Sequence, residues 1–168
     1  MTLNGIRVGV DIGKRTLRAV ALSPEGNAYR LHAMVETVRA PNHPVPTCQD
    51  VERLLQSFER QEIDLRRISL AIPPDRLMNA IVELPPRSSG APIETLAQAE
   101  LGKGGDGQQE VHVWDLPPGR RARASEYFAI GLSHTSANEL LAPFVQTGIE
   151  VECLEPEASA LQRITGAN

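Results

Sequence analysis

The sequence predicts an α/β fold in which a mixed β-sheet carries a small inserted α+β subdomain, and three observations predict it. Apolar, strand-like runs open the chain at Ile6 to Ile12, Thr16 to Leu22 and Asn27 to Val38. An amphipathic helix then leads to the apolar run Ile68 to Ile72, the order of a right-handed crossover onto a parallel strand. Near its end the chain passes from a strand at Val151 to Leu154 straight into a helix.

The first three runs read as a meander, with Ser23-Pro24-Glu25-Gly26 as the turn between the second and third. A proline-rich link, Pro41 to Pro46, precedes a helix in which Val51, Leu54, Leu55 and Phe58 share one face at i, i+3, i+4 and i+7. Ile68 to Ile72, closed by Pro73-Pro74, is expected to be a central strand buried on both faces. Beyond it come a strand at Met78 to Leu84, a linker Pro85 to Gly90, and a helix from Pro92 to Leu101 with Gly102 past its end. Strands at Glu110 to Leu116 and Ser125 to Gly131 flank a basic loop, Pro117 to Arg123. The stretch 77–133 is thus expected to be the inserted subdomain, and 1–76 with 134–168 the parent. A last helix before Gly148 has Ser136 and Glu139 at capping-box spacing and Leu140, Leu141, Phe144 and Val145 as its buried edge.

At 168 residues the chain has room for one domain or two small subdomains, and 41% apolar residues can fill the core. A net charge of −4 gives no global basic field to recruit nucleic acid or an acidic membrane. Cys48 and Cys153 have no metal-ligand spacing and suit a reducing cytoplasm. No signal peptide is expected, and Asp11, Lys14, Arg15 and Arg18 interrupt the only long apolar stretch, so any membrane role would come through a partner. Gly104-Gly105-Asp106-Gly107 follows a helix and precedes a strand, the reverse of a phosphate loop, and reads as a flexible loop. Arg120, Arg121 and Arg123 have no interleaved aromatics to stack on bases, and His32, His43, His112 and His134 show no ligand spacing.

Two segments carry candidate chemistry. Val10-Asp11-Ile12-Gly13-Lys14-Arg15-Thr16 puts a carboxylate and a permissive glycine where two apolar strands meet solvent. The main chain of Gly13, Lys14, Arg15 and Thr16 can face an anion there, with Asp11 opposite to hold a hydrated Mg²⁺. An ordinary hairpin with a solvated Asp is the alternative. In Leu154-Glu155-Pro156-Glu157-Ala158-Ser159-Ala160, proline opens a helix whose small residues allow close backbone approach. Glu155 is left near the ends of the parallel strands, as a ligand-facing group or a helix-capping carboxylate.

In order, separation and flanking strands, these segments resemble the two motifs of the actin-like ATPase superfamily, which includes actin, heat-shock chaperone ATPases and the cell-division protein FtsA. Val10-Asp11-Ile12-Gly13 is similar to its first phosphate motif, and Leu154 to Ala160 to its first connecting helix. Within it, Ser69-Leu70-Ala71-Ile72-Pro73, Ala80-Ile81-Val82-Glu83-Leu84-Pro85, Val111 to Asp115, Phe128-Ala129-Ile130-Gly131 and Gly148-Ile149-Glu150-Val151 resemble the pilus assembly family PilM and the secretion family GspL. The resemblance implies an RNase H-like subdomain 1A with an inserted subdomain 1C, in a cytoplasmic adaptor of a pilus or secretion machine. Its partner would be a short N-terminal peptide of a PilN-like inner-membrane protein, received between 1A and 1C. It leaves room for a pilus or secretion ATPase as a second partner, and for an oligomer. In a complete form it implies ATP and Mg²⁺, with Asp11 ordering the metal, Gly13 to Thr16 cradling phosphate and Glu155 near the hydrolytic water.

Lys14 and Arg15 stand where the superfamily carries small hydroxyl residues, and the second phosphate motif and the adenosine motif have no counterpart before Asn168. No tight nucleotide binding is therefore expected from this chain. The rival reading is a metal-dependent nuclease of the Holliday-junction resolvase type, with Asp11, Glu155 and Glu157 as metal carboxylates. Against it, the strand ending Leu70-Ala71-Ile72 has no acid at its tip, and Asp75 lies beyond two prolines.

Overall fold

Alternation along the opening strands decides which side of the sheet becomes core. In the structure, a computed structural model that describes residues 5–102, 108–116 and 125–165, β1 (Arg7–Ile12) buries Val8, Val10 and Ile12, and β2 (Thr16–Glu25) buries Leu17, Ala19 and Ala21. A third strand, β3 (Ala28–Val38), adds Ala33 and Val35. Two parallel strands, β4 (Arg67–Ile72) and β8 (Glu150–Pro156), complete a mixed sheet ordered β3-β2-β1-β4-β8. β4 follows α1 (Cys48–Glu59), whose Val51, Leu54 and Phe58 are fully buried.

The chain divides into two units, Met1–Pro74 with Glu139–Asn168, and Asp75–Asn138. The second is built on an antiparallel sheet ordered β5-β7-β6, formed by β5 (Met78–Leu84), β6 (Gln109–Asp115) and β7 (Ser125–Ser133). One face of it packs on α2 (Ile93–Leu101): Val82, Leu84, Tyr127 and Ala129 meet Ile93 and Ala97. The remaining helices are α3 (His134–Gln146) and α4 (Glu157–Thr165).

Several local expectations give way to neighbours. β4 is buried on one face, through Ile68, Leu70 and Ile72, while Ser69 is exposed. The turn expected at 23–26 moves on by two residues: β2 continues through Pro24 to Glu25, and Gly26 turns with φ +62°. Pro24 is tolerated because β1 pairing stops at Leu22, leaving β2 without a ladder acceptor on that side. Pro92 precedes α2, and Pro156 is the last residue of β8, paired with Ile72, with α4 beginning at Glu157. The cap of α3 is Ser133, whose Oγ accepts from the Ser136 N–H at 3.1 Å, so the helix begins before the expected Ser136 box. Leu140 and Phe144 are buried as expected, but Val145 is exposed. Gly148, at φ +81°, ends α3 as expected: its N–H donates to Val145 O and the Ile149 N–H to Phe144 O, a Schellman closure. The Gly104 to Gly107 loop and the arginines at 120, 121 and 123 lie outside the described residues.

Candidate functional site

The β1–β2 turn is tight for a reason visible in its backbone. The Gly13 N–H donates to Thr16 O at 2.9 Å, and a Cβ at position 13 would stand 3.1 Å from that same oxygen. Lys14 and Arg15 are therefore pushed out at the tip, both exposed, with Thr16 half-buried behind them. The turn is also held from within the fold. Buried Arg39 donates from Nη1 to Gly13 O at 2.6 Å and from Nη2 to His43 O at 3.1 Å, and its own N–H donates to Arg15 O at 2.8 Å. A planar guanidinium suits this use, because its fixed fork reaches two carbonyls without rearrangement. Sequence reasoning missed Arg39, which follows a strand like any surface arginine. Arg39→Met should cost about 2–3 kcal/mol by stranding two inward carbonyls. Urea unfolding checks the cost, and faster amide exchange at 13–16 checks its location.

Asp11 and Glu155 occupy the same level of one sheet. Val10 is level with Leu70, and Leu70 with Leu154. Asp11 and Glu155 follow on the strands either side of β4, at its C-terminal end and on the face opposite those apolar residues. Two strand spacings put their backbones about 10 Å apart. Asp11 is half-buried. Glu155 is already engaged: both its oxygens accept from the guanidinium of Arg163 on α4. Its charge is thus answered by the next helix, a contact eight residues apart that no local pattern announces. The structure brings Asp11, Gly13, Lys14, Arg15 and Thr16 together in one turn and sets Glu155 across β4 from them.

Among the described residues, no group of three or more His, Cys, Asp or Glu side chains is arranged to hold a metal ion, and no helix is long and apolar enough to cross a membrane. The second unit has an open groove of about 440 Å³, lined among others by Glu94, Gln98, Gln109, Glu110 and His134. Its amides are mutually satisfied, Gln98 Nε2 donating to Gln109 O and Gln109 Nε2 to Gln98 O, both at 2.9 Å.

No protein-family model matches the chain, and no curated protein matches it in sequence. Solved structures do match in shape. A chain of the PilM-PilN type IV pilus biogenesis complex superposes with a TM-score of 0.74 at 14% identity, over 96% of this chain and 50% of that one. The cytoplasmic domain of EpsL, an inner-membrane component of the type II secretion system of Vibrio cholerae, matches with 0.54 at 17% identity, over 90% and 57%. A Bacteroides thetaiotaomicron protein of unknown function with an actin-like ATPase fold matches with 0.51 at 9% identity, over 96% and 55%. The chain therefore spans about half the length of the structures it resembles. It has the actin-like fold, in the form seen in one half of a chain of the PilM-PilN complex.

Proposed function

We propose that this chain is an adaptor module of a pilus or secretion assembly platform, working at the cytoplasmic side of the inner membrane through a PilN-like partner. The observation that carries the reading is the superposition of 96% of the chain on half of a chain from the PilM-PilN complex. The partner contributes a short N-terminal peptide, and we read the two units as subdomains 1A and 1C. Calorimetry with the cytoplasmic N-terminal peptide of a PilN-type protein encoded with this chain tests it. Saturable binding is expected, and no heat at high peptide concentration would sink the reading.

The turn suits a phosphate and a hydrated Mg²⁺ only in part. Asp11 offers one carboxylate and Lys14 and Arg15 are exposed at the tip, but the Gly13 N–H and carbonyl are already engaged by Thr16 and Arg39, and Glu155 by Arg163. In a complete cleft, Asp11 would hold the metal through its waters and residues 13–16 would hold phosphate. This chain alone is expected to gain less than about 1 °C in Tm from millimolar Mg-ATP, since stabilisation follows the ratio of ligand to Kd. A rise of many degrees would show that the site is self-sufficient.

A further inference from the structure

The second unit exposes a sheet face that its own helix does not use. Residues directly opposite one another across an antiparallel ladder point to the same side. Opposite the α2-covered face, Ile81, Phe128 and Trp114 form one row across all three strands, and Asn79, Ile130 and His112 form the next. Ile81 is 65% exposed and Trp114 40%. The ring centroids of Trp114 and Phe128 are 6.2 Å apart, as are those of His112 and Trp114, so the aromatics make a continuous surface. A strip of this kind, with Phe128 on the central strand and Trp114 beside it, has the composition of an interface core.

Its border is acidic. Glu83 and Glu126 are directly opposite one another on that same face, a like-charge pair that costs stability. Neither pairs with a cation among the described residues. Glu110, on the far side, meets His134 at 3.3 Å. Two adjacent rows on a strand lie about 7 Å apart and the row spans about 10 Å across. That footprint fits the apolar stripe of a helix two to three turns long.

We propose that this face docks an amphipathic helical segment of a partner protein, with apolar side chains over Ile81, Phe128 and Trp114 and lysine or arginine against Glu83 and Glu126. The inference rests on the adaptor reading for the kind of occupant, and on the sheet face for its location and chemistry.

Trp114 is the sole tryptophan of the chain, so its emission reports on this face. The full chain is titrated with a tryptophan-free helical peptide of leucine, lysine and alanine, with leucines at i, i+3, i+4 and i+7. A saturable blue shift is expected. Glu83→Gln with Glu126→Gln, which relieves repulsion and so keeps the fold, should weaken binding about fivefold. Ile81→Ser, at an exposed site, should weaken it about tenfold or more. Silent emission, an equal response to the peptide with glutamate in place of lysine, or unchanged affinity in both variants would overturn the proposal. So would a blue shift on concentrating the chain alone together with a dimer in sedimentation, which would give the face to a second copy. Calorimetric heat from the PilN-type peptide together with a silent Trp114 in the leucine-lysine-alanine titration removes this proposal alone, whereas absence of heat from the PilN-type peptide removes the adaptor reading.

Discussion

Replacing Tyr127 by alanine should unfold the second unit while leaving the first folded. Tyr127 is 1% exposed and sits at the centre of the cluster made by Val82, Leu84, Ile93, Ala97 and Ala129. Its hydroxyl donates to Pro85 O at 2.9 Å, and the Arg87 guanidinium carbon lies 5.7 Å from its ring centroid. Arg87 in turn donates to Glu94 on α2, and to Asp115 and Val113 O on β6, so one side chain supports a cluster tying helix to sheet. Truncating a buried aromatic to alanine costs about 3–5 kcal/mol. A unit as small as Asp75–Asn138 has a core that rarely supplies more than about that amount. Amide exchange in β5, β6 and β7 should approach unprotected rates while β1 and β4 keep their protection. Tyr127→Phe keeps the ring and should cost only about 1 kcal/mol for the stranded Pro85 carbonyl. Equal loss of protection in both sheets would mean that the two units unfold as one.

Asp50→Ala should lower stability by about 3 kcal/mol, or roughly 6–12 °C in Tm for a chain of this size. The Asp50 side chain is fully buried at the start of α1, where it accepts from Ala40 N–H at 2.7 Å, Thr47 N–H at 2.8 Å, Thr47 Oγ1 at 2.9 Å and the Arg53 guanidinium. Thr47 Oγ1 accepts from the Asp50 N–H in return, closing a reciprocal cap. Alanine would leave buried donors without an acceptor. Burial by itself would raise the pKa of this carboxyl, but the hydrogen bonds from Thr47 and Ala40 and the nearby Arg53 outweigh it and hold the carboxyl below its ordinary value. A depressed carboxylate stabilises the fold above its unfolded pKa, near 3.9, and that contribution is lost as pH falls through the lower folded value. The gap between parent and Asp50→Ala should thus be constant above about pH 5 and narrow in acid. A gap that widened in acid would reverse the sign of the argument.

Much of the fold was legible because it repeats at short range. Val8, Val10 and Ile12 alternate, and Val51, Leu54 and Phe58 recur at helical spacing, so their buried sides follow from period alone. The Asp11 turn was legible for a related reason: a carboxylate, a glycine and two strands in one short stretch. What failed depended on neighbours. Ser69 reads as part of a strand buried on both faces, yet nothing covers its outer side, and Val145 reads as core, yet the helix turns it to solvent. The cap at Thr47 and Asp50 is local, but with Asp in place of the Glu or Gln of the usual box it carries a weaker sequence signal.

The amino-acid order alone determined where strands and helices form, which of their faces are apolar, and that a carboxylate and a glycine share the first turn. These are consequences of periodicity and backbone sterics within a few residues. Only the tertiary structure decided who answers each charge: Arg39 behind Gly13, Arg163 on Glu155, Arg87 between Glu94 and Asp115, and no cation at all, among the described residues, on Glu83 and Glu126. Such pairings join residues from 7 to 28 positions apart. Sheet register brings those groups into reach, and register is set by burying one whole face against a helix that a single strand cannot foresee.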